Sequence, residues 1–412
     1  MTIRATDITP LPIPAQGAPT DITSSPGPFV VVHSLTTVAG VCLNRDMSDV
    51  PKTLWYGGTE RIRVSSQSLV RAARQYMRTD GSQHTPHAMS TWSLPSMVAR
   101  HLETDHGVDP ADASPAAALI AAATGLIVDP AAPGRTKAAA YVPEDSAQRL
   151  GRILISHWDE LSEARDLVEE QIAEALQPAG QGTSARKTPA RPISAAGLPS
   201  GMVTDAQAAL EPGTVEEIAV FGRMLAGLPR GKVISAAHVA HALGVDPLHL
   251  ITDDFTGGDD YQDGGVFANT GILGSQYLVS GTFYRQAALD RRQLRQTLAR
   301  SGKPEDEVEA LAQSAERRWT RAIVHSLPSA KRSRTGSPPR PTLAVIATTD
   351  EALTASPAFE DVIHEQPAGP HAAARLANHL FSLGLRGGTA LWQSPAGAAP
   401  PDLPGVLALK EY

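Results

Sequence analysis

The segment from Gly57 to Arg78, GGTERIRVSSQSLVRAARQYMR, constrains the fold of this chain more than any other stretch. Its first half predicts a short strand, RIRV, and the serines that follow are typical of a helix N-terminus. The apolar residues of the predicted helix recur at helical spacing on one face, which we expect to be buried: Leu69, Ala72, Ala73, Tyr76 and Met77. The chain must therefore pass directly from a strand into an amphipathic helix.

The other face of the same helix is polar and basic. Its side chains recur at helical spacing: Arg71, Arg74, Gln75 and Arg78. Such a row is also typical of a solvated helix face that binds nothing. A strand edge, a hydroxyl-lined helix N-terminus and a row of arginines meet here, however, and together they predict a phosphate-binding surface. The segment thus indicates a nucleic-acid-binding protein.

The charge of the chain is unevenly distributed. The formal net charge of the 412 residues is −7, which taken alone argues against binding to phosphates. Between Asn44 and Arg78, however, seven basic residues stand against three acidic ones, and between Ser329 and Pro341 four basic residues stand against none. Because phosphate binding depends on local charge, this distribution favours two basic regions on an acidic protein.

Composition excludes several classes of protein. The hydrophobic content of 42% supports a sizeable core, and the length allows two or three domains. Cys42 is the only cysteine, which excludes a disulfide framework and a multi-cysteine metal site. No apolar run approaches the ~20 residues of a membrane span, and the N-terminus lacks the apolar segment of a secretory signal. We therefore expect a cytoplasmic protein without a cofactor.

The order of patterns along the chain predicts an α+β fold with large helical insertions. Residues 38–58 are expected to form a loop. Strands are predicted at residues 29–33, 61–64, 215–224, 276–286 and 343–347. Helices are predicted from about residue 65 to 78 and at residues 96–102, 115–128, 145–176, 235–243, 290–301, 305–327 and 371–383.

Other motifs indicate chemistry only weakly. His238 and His241 stand three residues apart on the predicted helix 235–243, which suits a pair of metal ligands, but no carboxylate or cysteine accompanies them at ligand spacing. The glycine- and aspartate-rich segment 252–271 fits no calcium motif and is interpreted as a flexible acidic loop. Neither a nucleophile elbow nor a P-loop occurs. A binding protein is favoured, with a metal-dependent enzyme that uses the two histidines as one alternative.

Several motifs together resemble the CasC family, the repeated backbone subunits of the type I-E CRISPR surveillance complex Cascade. The combination of LNRD, RVSSQSL and SGTFYR is specific, and the resemblance covers most of residues 29–350. The motifs that carry it are FVVVH (29–33), VCLNRD (41–46), GG (57–58), RIRVSSQSLVRAAR (61–74), FGRM (221–224), GILGSQ (271–276), VSGTFYR (279–285) and PSAKR (328–332).

The resemblance implies a modified RRM-like (ferredoxin-like) palm, an inserted helical finger domain and a β-hairpin thumb. Together with composition, it predicts a disordered tail (1–28), three palm segments (29–78, 212–244 and 276–400), the finger (79–176), a flexible loop (177–211), the thumb (245–275) and a C-terminal tail (401–412). The chain departs from the family pattern at Val70, where some relatives carry a lysine.

The resemblance also implies a function. Copies of the protein would assemble along one CRISPR guide RNA, displace a base at regular intervals and present the others to a target DNA strand. Implied partners are the large, small, tail and repeat-processing subunits of Cascade and a recruited helicase-nuclease. The implied RNA-binding residues are Asn44, Arg45 and Lys52 in a loop; Ser65, Gln67, Arg71 and Arg74 on the helix; Met224 on a palm strand; Phe255 and Leu273 on the thumb; and Lys331 and Arg332 in the second basic region.

An RNA-guided ribonuclease is the leading alternative. Backbone subunits of type III complexes have a fold similar to the implied one, and they cleave target RNA with an aspartate in the loop after the first strand. This chain has Asp46 in such a loop. The sequence Asn44-Arg45-Asp46 matches the type I-E pattern instead. In that pattern we expect Asp46 to orient Arg45 through an ion pair, and the chain to be non-catalytic.

Overall fold

The chain divides into two compact units. The first comprises Met1–Ser82, Ala237–Arg292 and Gln313–Tyr412, and the second comprises Gln83–Ala236 and Gln293–Ala312. The computed structural model describes residues 26–79, 86–176, 191–195, 198–225, 227–228, 231–256, 273–328, 330–336, 339–385, 389–392 and 406–408. Residues 212–236, which the resemblance assigned to the palm, belong to the second unit, whereas 237–244 belong to the first.

The described elements confirm an α+β fold. The strands are β1 (Phe29–Val41), β2 (Thr53–Tyr56), β3 (Thr59–Val64), β4 (Ala88–Thr91), β5 (Ala140–Pro143), β6 (Ala237–Val239), β7 (Ala242–Gly244), β8 (His249–Thr256), β9 (Leu273–Asp290), β10 (Leu343–Thr349), β11 (Thr389–Trp392) and β12 (Val406–Ala408). The helices are α1 (Ser66–Thr79), α2 (Leu94–His106), α3 (Pro110–Ala123), α4 (Ser146–Ser156), α5 (Ser162–Leu176), α6 (Ser200–Ala209), α7 (Glu216–Phe221), α8 (Arg291–Ala299), α9 (Glu305–His325), α10 (Arg332–Thr335) and α11 (Ala368–Ser382).

The first unit is built on one large sheet. Its strand order is β12-β11-β10-β1-β9-β7-β3-β2, and β6 and β8 also pair with β9. The pairs are antiparallel except for β11 with β12. The apolar run at the start of β1 lies in the middle of this sheet, with Val30, Val31 and Val32 at most 1% exposed. Fully buried strands of this kind have continuous apolar sequences, which is why the run was predictable.

Two apolar clusters hold helices against this sheet. One joins Leu35 of β1 and Tyr284 of β9 to Leu376 and Leu380 of α11. The other surrounds Leu69 of α1. Each fully buried side chain of this size stabilises the fold by about 1.5–3 kcal/mol. The second cluster fixes the position of α1, because Leu69 packs there with residues of β1, β3 and β9.

The second unit is mainly helical. Helices α2, α3, α4 and α6 surround an apolar cluster that includes Leu94, Leu102, Ile120 and Leu150, all fully buried. A two-stranded sheet, β4 with β5, completes the unit. Helices α2, α3 and α4 agree with the helical pattern predicted for the same region, whereas α6 lies in the predicted flexible loop.

Two predicted elements are wrong. Residues 215–224, predicted as a strand, contain α7, which ends at Phe221 and is followed by Gly222 with a φ of 69°. Residues 235–243, predicted as a helix, contain β6 and β7 instead. Both of these strands pair with β9, and hydrogen bonds to a long neighbouring strand outweigh the helix propensity of alanine.

Several predicted loops and tails contain regular structure. The predicted loop 38–58 includes the end of β1 and all of β2, the predicted flexible loop 177–211 includes α6, and the predicted C-terminal tail 401–412 includes β12. Residues 26–28, assigned to the N-terminal tail, contact Arg291 through the carbonyl groups of Gly27 and Pro28. Residues 1–25 and 177–190 lie outside the described part of the chain.

The turn between β2 and β3 was predictable from two glycines. Gly57 and Gly58 have φ angles of 58° and 73°, as a two-residue type I′ hairpin turn requires. A β-carbon on Gly57 would also lie 1.8 Å from the carbonyl oxygen of Glu360.

No helix among the described residues is long and apolar enough to cross a membrane.

Candidate nucleic-acid interface

The loop between β1 and β2 is joined to the start of α1 by hydrogen bonds. The side-chain oxygen of Asn44 accepts the amide of Ser65 at 2.9 Å. The backbone amide of Lys52 donates to the carbonyl of Asn44 at 2.9 Å, and the amide of Arg63 donates to the carbonyl of Lys52 at 2.9 Å. Residues that are 8 to 21 positions apart in sequence, all near the predicted phosphate-binding surface, are therefore assembled in one place.

The first turn of α1 satisfies part of its own hydrogen-bonding capacity. Ser65 is only 6% exposed, and its hydroxyl accepts the amide of Ser68 at 3.3 Å, as an N-cap residue does. The amide of Ser66 donates to Nδ1 of His241 at 2.9 Å. Two amides that could have faced a phosphate thus have protein partners. The predicted phosphate contact of Ser65 would have to be made from a buried hydroxyl that also caps the helix.

The exposed face of α1 offers the predicted polar side chains to solvent. Gln67 and Arg71 are exposed, and Arg71 has no ion pair or hydrogen bond with any residue that the structure describes. Arg74 is half-buried. The predicted buried face is confirmed for Leu69, Ala72, Ala73 and Met77, whereas Tyr76 is half-buried.

The two arginines of β3 have different roles. Arg61 is completely buried, and its guanidinium donates to the carbonyl groups of Phe359 at 2.5 Å and Glu360 at 2.7 Å. Burial lowers the pKa of Arg61. Arg63 is half-buried and donates to the carbonyl of Thr53 at 3.2 Å. Arg61 therefore stabilises the fold and adds nothing to the basic surface that its place in the sequence suggested.

Arg45 and Lys331 meet at one carboxylate. Arg45 pairs with Asp49 four residues later, and Nζ of Lys331 lies 2.5 Å from Oδ2 of the same aspartate. Both contacts lower the pKa of Asp49, the Lys331 hydrogen bond most, and the bond to Asp49 raises the pKa of Arg45. The first and second basic regions of the sequence are thereby joined. Asp49 was not among the predicted residues, and only its spacing from Arg45 could have suggested it.

The expected ion pair between Asp46 and Arg45 is not formed. Oδ1 of Asp46 instead accepts the backbone amides of Ser48 at 2.8 Å and Val50 at 3.0 Å. In turns, an aspartate side chain commonly accepts a hydrogen bond from the backbone amide two residues later. Asp46 therefore shapes the loop, and Asp49 forms the ion pair with Arg45 that was expected of Asp46.

The aromatic residue Phe255 lies near the described end of the β8–β9 pair, opposite Gly274. A β-carbon on Gly274 would lie 2.6 Å from Cζ of the Phe255 ring, so the ring covers the space that the glycine leaves open. The guanidinium of Arg334 lies over the same ring, 5.0 Å from its centroid. Arg334 is an exposed base in the basic run between Ser329 and Pro341, and it was not among the predicted site residues. The run itself was the only signal for it.

The remaining predicted residues are distributed as follows. Leu273 begins β9, but its side chain lies outside what the structure describes, as does the side chain of Arg332 in α10. Met224 is 77% exposed, follows α7 and belongs to the second unit, not to a palm strand. Its neighbour Arg223 forms a bridge with Val233.

The histidine pair does not have the predicted helical arrangement. His238 lies on β6, where its ring is 6.4 Å from that of Phe29, and His241 follows β6 and accepts the amide of Ser66. Among the described residues, no group of three or more histidine, cysteine, aspartate or glutamate side chains could hold a metal ion. The structure therefore removes the geometric basis of the metal-ligand hypothesis for this pair.

The fold of the chain is similar to the folds of solved structures. One solved structure, a chain of a "CRISPR RNA-guided surveillance complex, pre-nicking", is 24% identical with a TM-score of 0.72 over 93% of this chain and 97% of that chain. Another, from a "CRISPR RNA-guided surveillance complex", is 23% identical with a TM-score of 0.63 over the same shares. At this level of identity the likeness is one of fold.

A family can be assigned from sequence. No curated protein matches the chain. The model of the Cas_CT1975 family, described as CT1975-like protein, matches residues 30–384. This match spans the first strand to the end of the last described helix, α11, and more than half of the sequence. The chain therefore belongs to the Cas_CT1975 family of CT1975-like proteins.

Proposed function

We propose that the chain is a non-catalytic backbone subunit of a type I-E CRISPR surveillance complex, which binds the guide RNA and assembles along it with further copies of itself. The guide would then be presented for base pairing with target DNA, so that sequence specificity resides in the pairing and the protein holds backbone and shape. The other Cascade subunits and a recruited helicase-nuclease are the corresponding partners.

The observation that carries this proposal is the assembly of the loop 44–52 with the start of α1. Asn44 and Lys52 are linked by hydrogen bonds to Ser65 and Arg63, and the exposed Gln67 and Arg71 extend from the same helix start. Cations and amide groups concentrated on a rigid strand–helix junction suit a sugar–phosphate backbone, and their side chains carry no preference for a base. The fold shared with chains of CRISPR RNA-guided complexes supports the same conclusion.

We assign the parts of the structure to this function as follows. The sheet of the first unit corresponds to an RRM-like palm, the helical second unit to a finger domain, and the β8–β9 pair to the thumb. Phe255 on β8 would lie beside a displaced base, since single-strand-binding proteins combine cationic grooves with aromatic platforms. Leu273 and Met224 are proposed as further apolar contacts, and Arg74 and Arg332 as further phosphate contacts.

The absence of catalysis is also a proposal. It is supported by the contacts of Asp46, whose Oδ1 accepts two backbone amides within its own loop. A carboxylate in that role fixes a turn and is poorly placed to coordinate a catalytic metal or a water molecule through the same oxygen.

We expect protein that is expressed together with a guide RNA to purify as a large oligomer with an absorbance ratio typical of nucleic acid. The reason is that each copy binds only a short stretch of RNA, so a single guide gathers many copies. Size-exclusion chromatography with RNA extraction measures this. Recovery of RNA-free monomer alone would contradict the proposal.

The same particle distinguishes the ribonuclease alternative. Labelled RNA complementary to the guide is expected to remain intact after incubation with the particle. If it were cut, and if Asp46→Ala abolished the cutting, the chain would be an RNA-guided ribonuclease.

Replacing Arg71 with glutamine is expected to reduce the slope of log K against log[salt] for RNA binding by roughly 0.7, the value for one lost phosphate contact on a single strand. Little base preference should be lost with it. Fluorescence anisotropy at several salt concentrations measures the slope. Arg78→Gln, at the other end of the exposed face of α1, is the matched control and should leave the slope unchanged. Equal slopes for Arg71→Gln and the wild type would remove Arg71 from the interface.

A further inference from the structure

Asp49 contacts two of the proposed RNA-binding cations, Arg45 and Lys331. Arg45 pairs with its Oδ1, and Nζ of Lys331 lies 2.5 Å from its Oδ2 and 3.5 Å from its carbonyl oxygen. Asp49 has a φ of 65°, a left-handed conformation that few residues other than glycine, asparagine and aspartate adopt readily. The backbone therefore directs this carboxylate between the two cations.

The loop around Asp49 is fixed independently of these ion pairs. The amide of Asp46 donates to the carbonyl of Val50 at 2.9 Å, Arg45 and Pro51 form an antiparallel bridge, and Asp46 accepts two further amides of the loop. The two ion pairs are thus not needed to close the loop. Their effect is to hold two like charges, separated by 286 positions in the sequence, beside each other.

The environment of the cluster is that of an interface rather than a core. The side chains of Arg45 and Asp49 are 54% and 45% exposed, whereas that of Lys331 is 9% exposed. A carboxylate that bridges a guanidinium and an ammonium group occupies the position that a phosphate oxygen would take between the same donors. The pair of Asp49 with Arg45 is exposed and therefore weak, so a phosphate can replace the carboxylate there at small cost.

We infer that the Asp49 carboxylate occupies the phosphate position between Arg45 and Lys331 in the RNA-free protein, and that an RNA phosphate replaces it when the guide binds. This inference rests on the proposed function and adds a regulated step to it. Until RNA arrives, Asp49 neutralises part of the cationic site and competes with phosphate for its two donors.

The test is RNA binding by Asp49→Asn, measured by fluorescence anisotropy with a single-stranded RNA of guide length. Asparagine adopts the left-handed conformation at least as readily as aspartate, so the loop should be retained. We expect the variant to bind RNA roughly two- to tenfold more tightly than the wild type, because the ion pairs of Asp49 with Arg45 and Lys331 no longer have to be broken.

Asp46→Asn is the matched control. It removes the same charge from the same loop, and its amide oxygen can still accept the amides of Ser48 and Val50. Its effect on affinity measures the general electrostatic contribution, and we expect it to be smaller than that of Asp49→Asn. In a Lys331→Gln background the gain from Asp49→Asn should be smaller, since Asp49 then has only Arg45 as an ion-pair partner.

The outcomes separate the two proposals. Equal effects of Asp49→Asn and Asp46→Asn, weaker binding by Asp49→Asn, or an undiminished gain in the Lys331→Gln background would overturn the role of Asp49 alone. Failure of the wild-type protein to bind the RNA would overturn the proposed function together with it.

Discussion

Replacing Glu316 with alanine is expected to lower the free energy of unfolding by about 3–5 kcal/mol, the cost of leaving the partner of a buried ion pair without its counter-charge. Glu316 is completely buried in α9, and both of its carboxylate oxygens lie 3.0 Å from Nε of Arg291. Arg291 is 7% exposed and also donates to the carbonyl of Gly27 at 3.1 Å. The pair therefore joins α9 to the strand end where β1 begins.

Urea unfolding followed by circular dichroism measures this loss, with Glu309→Ala as the control. Glu309 also pairs with an arginine, Arg295, but the two side chains are 42% and 30% exposed, and partly exposed pairs contribute about 0–1 kcal/mol. The double variant Arg291→Met/Glu316→Leu should recover much of the stability, because apolar side chains of similar volume can replace a buried pair. If Glu316→Ala were as stable as Glu309→Ala, the charge on Arg291 would not need its partner.

The elements that were predictable from sequence are those whose own residues contain the signal. The buried strand at the start of β1 has a continuous apolar run, and α1 shows an uninterrupted helical spacing of buried and exposed residues. The turn at Gly57 and Gly58 has the two residues that its φ angles require. In each of these segments the local preference and the tertiary structure agree.

Elements that depend on distant partners were not predictable in the same way. The alanine-rich stretch 235–243 forms strands because β9 lies beside it. Arg61 appeared to belong to the basic surface, but carbonyl groups nearly 300 residues later surround its guanidinium. Nothing within a window of the sequence reports such contacts.

The candidate site shows the same division. Asn44, Lys52 and the start of α1 were predicted together and are joined by hydrogen bonds. The choice between Asp46 and Asp49 as partner of Arg45 depends on the geometry of a tight turn, which composition does not determine. The stacking of Arg334 on Phe255 depends on how a basic segment contacts a strand some 80 residues earlier.

Truncation of Phe255 to alanine is expected to weaken RNA binding by about 1–3 kcal/mol, which corresponds to roughly a 5- to 150-fold increase in Kd. The salt slope should not change, because no charge is removed. Phe255 supplies an aromatic ring on β8 with Arg334 above it, an arrangement that suits stacking against a base. Binding of single-stranded RNA at several salt concentrations measures both quantities.

Gly274→Val tests the placement of the ring without removing it. The new side chain would begin 2.6 Å from Cζ of Phe255, so the ring must move, and we expect a loss of affinity in the same direction. Leu250→Ala is the control, since it removes a 45% exposed apolar side chain from the other face of the same strand. If all three variants weakened binding equally, the effect would come from the stability of the β8–β9 pair. If Phe255→Ala bound RNA as tightly as the wild type, the ring would have no part in RNA binding and the contact with Arg334 would be purely structural.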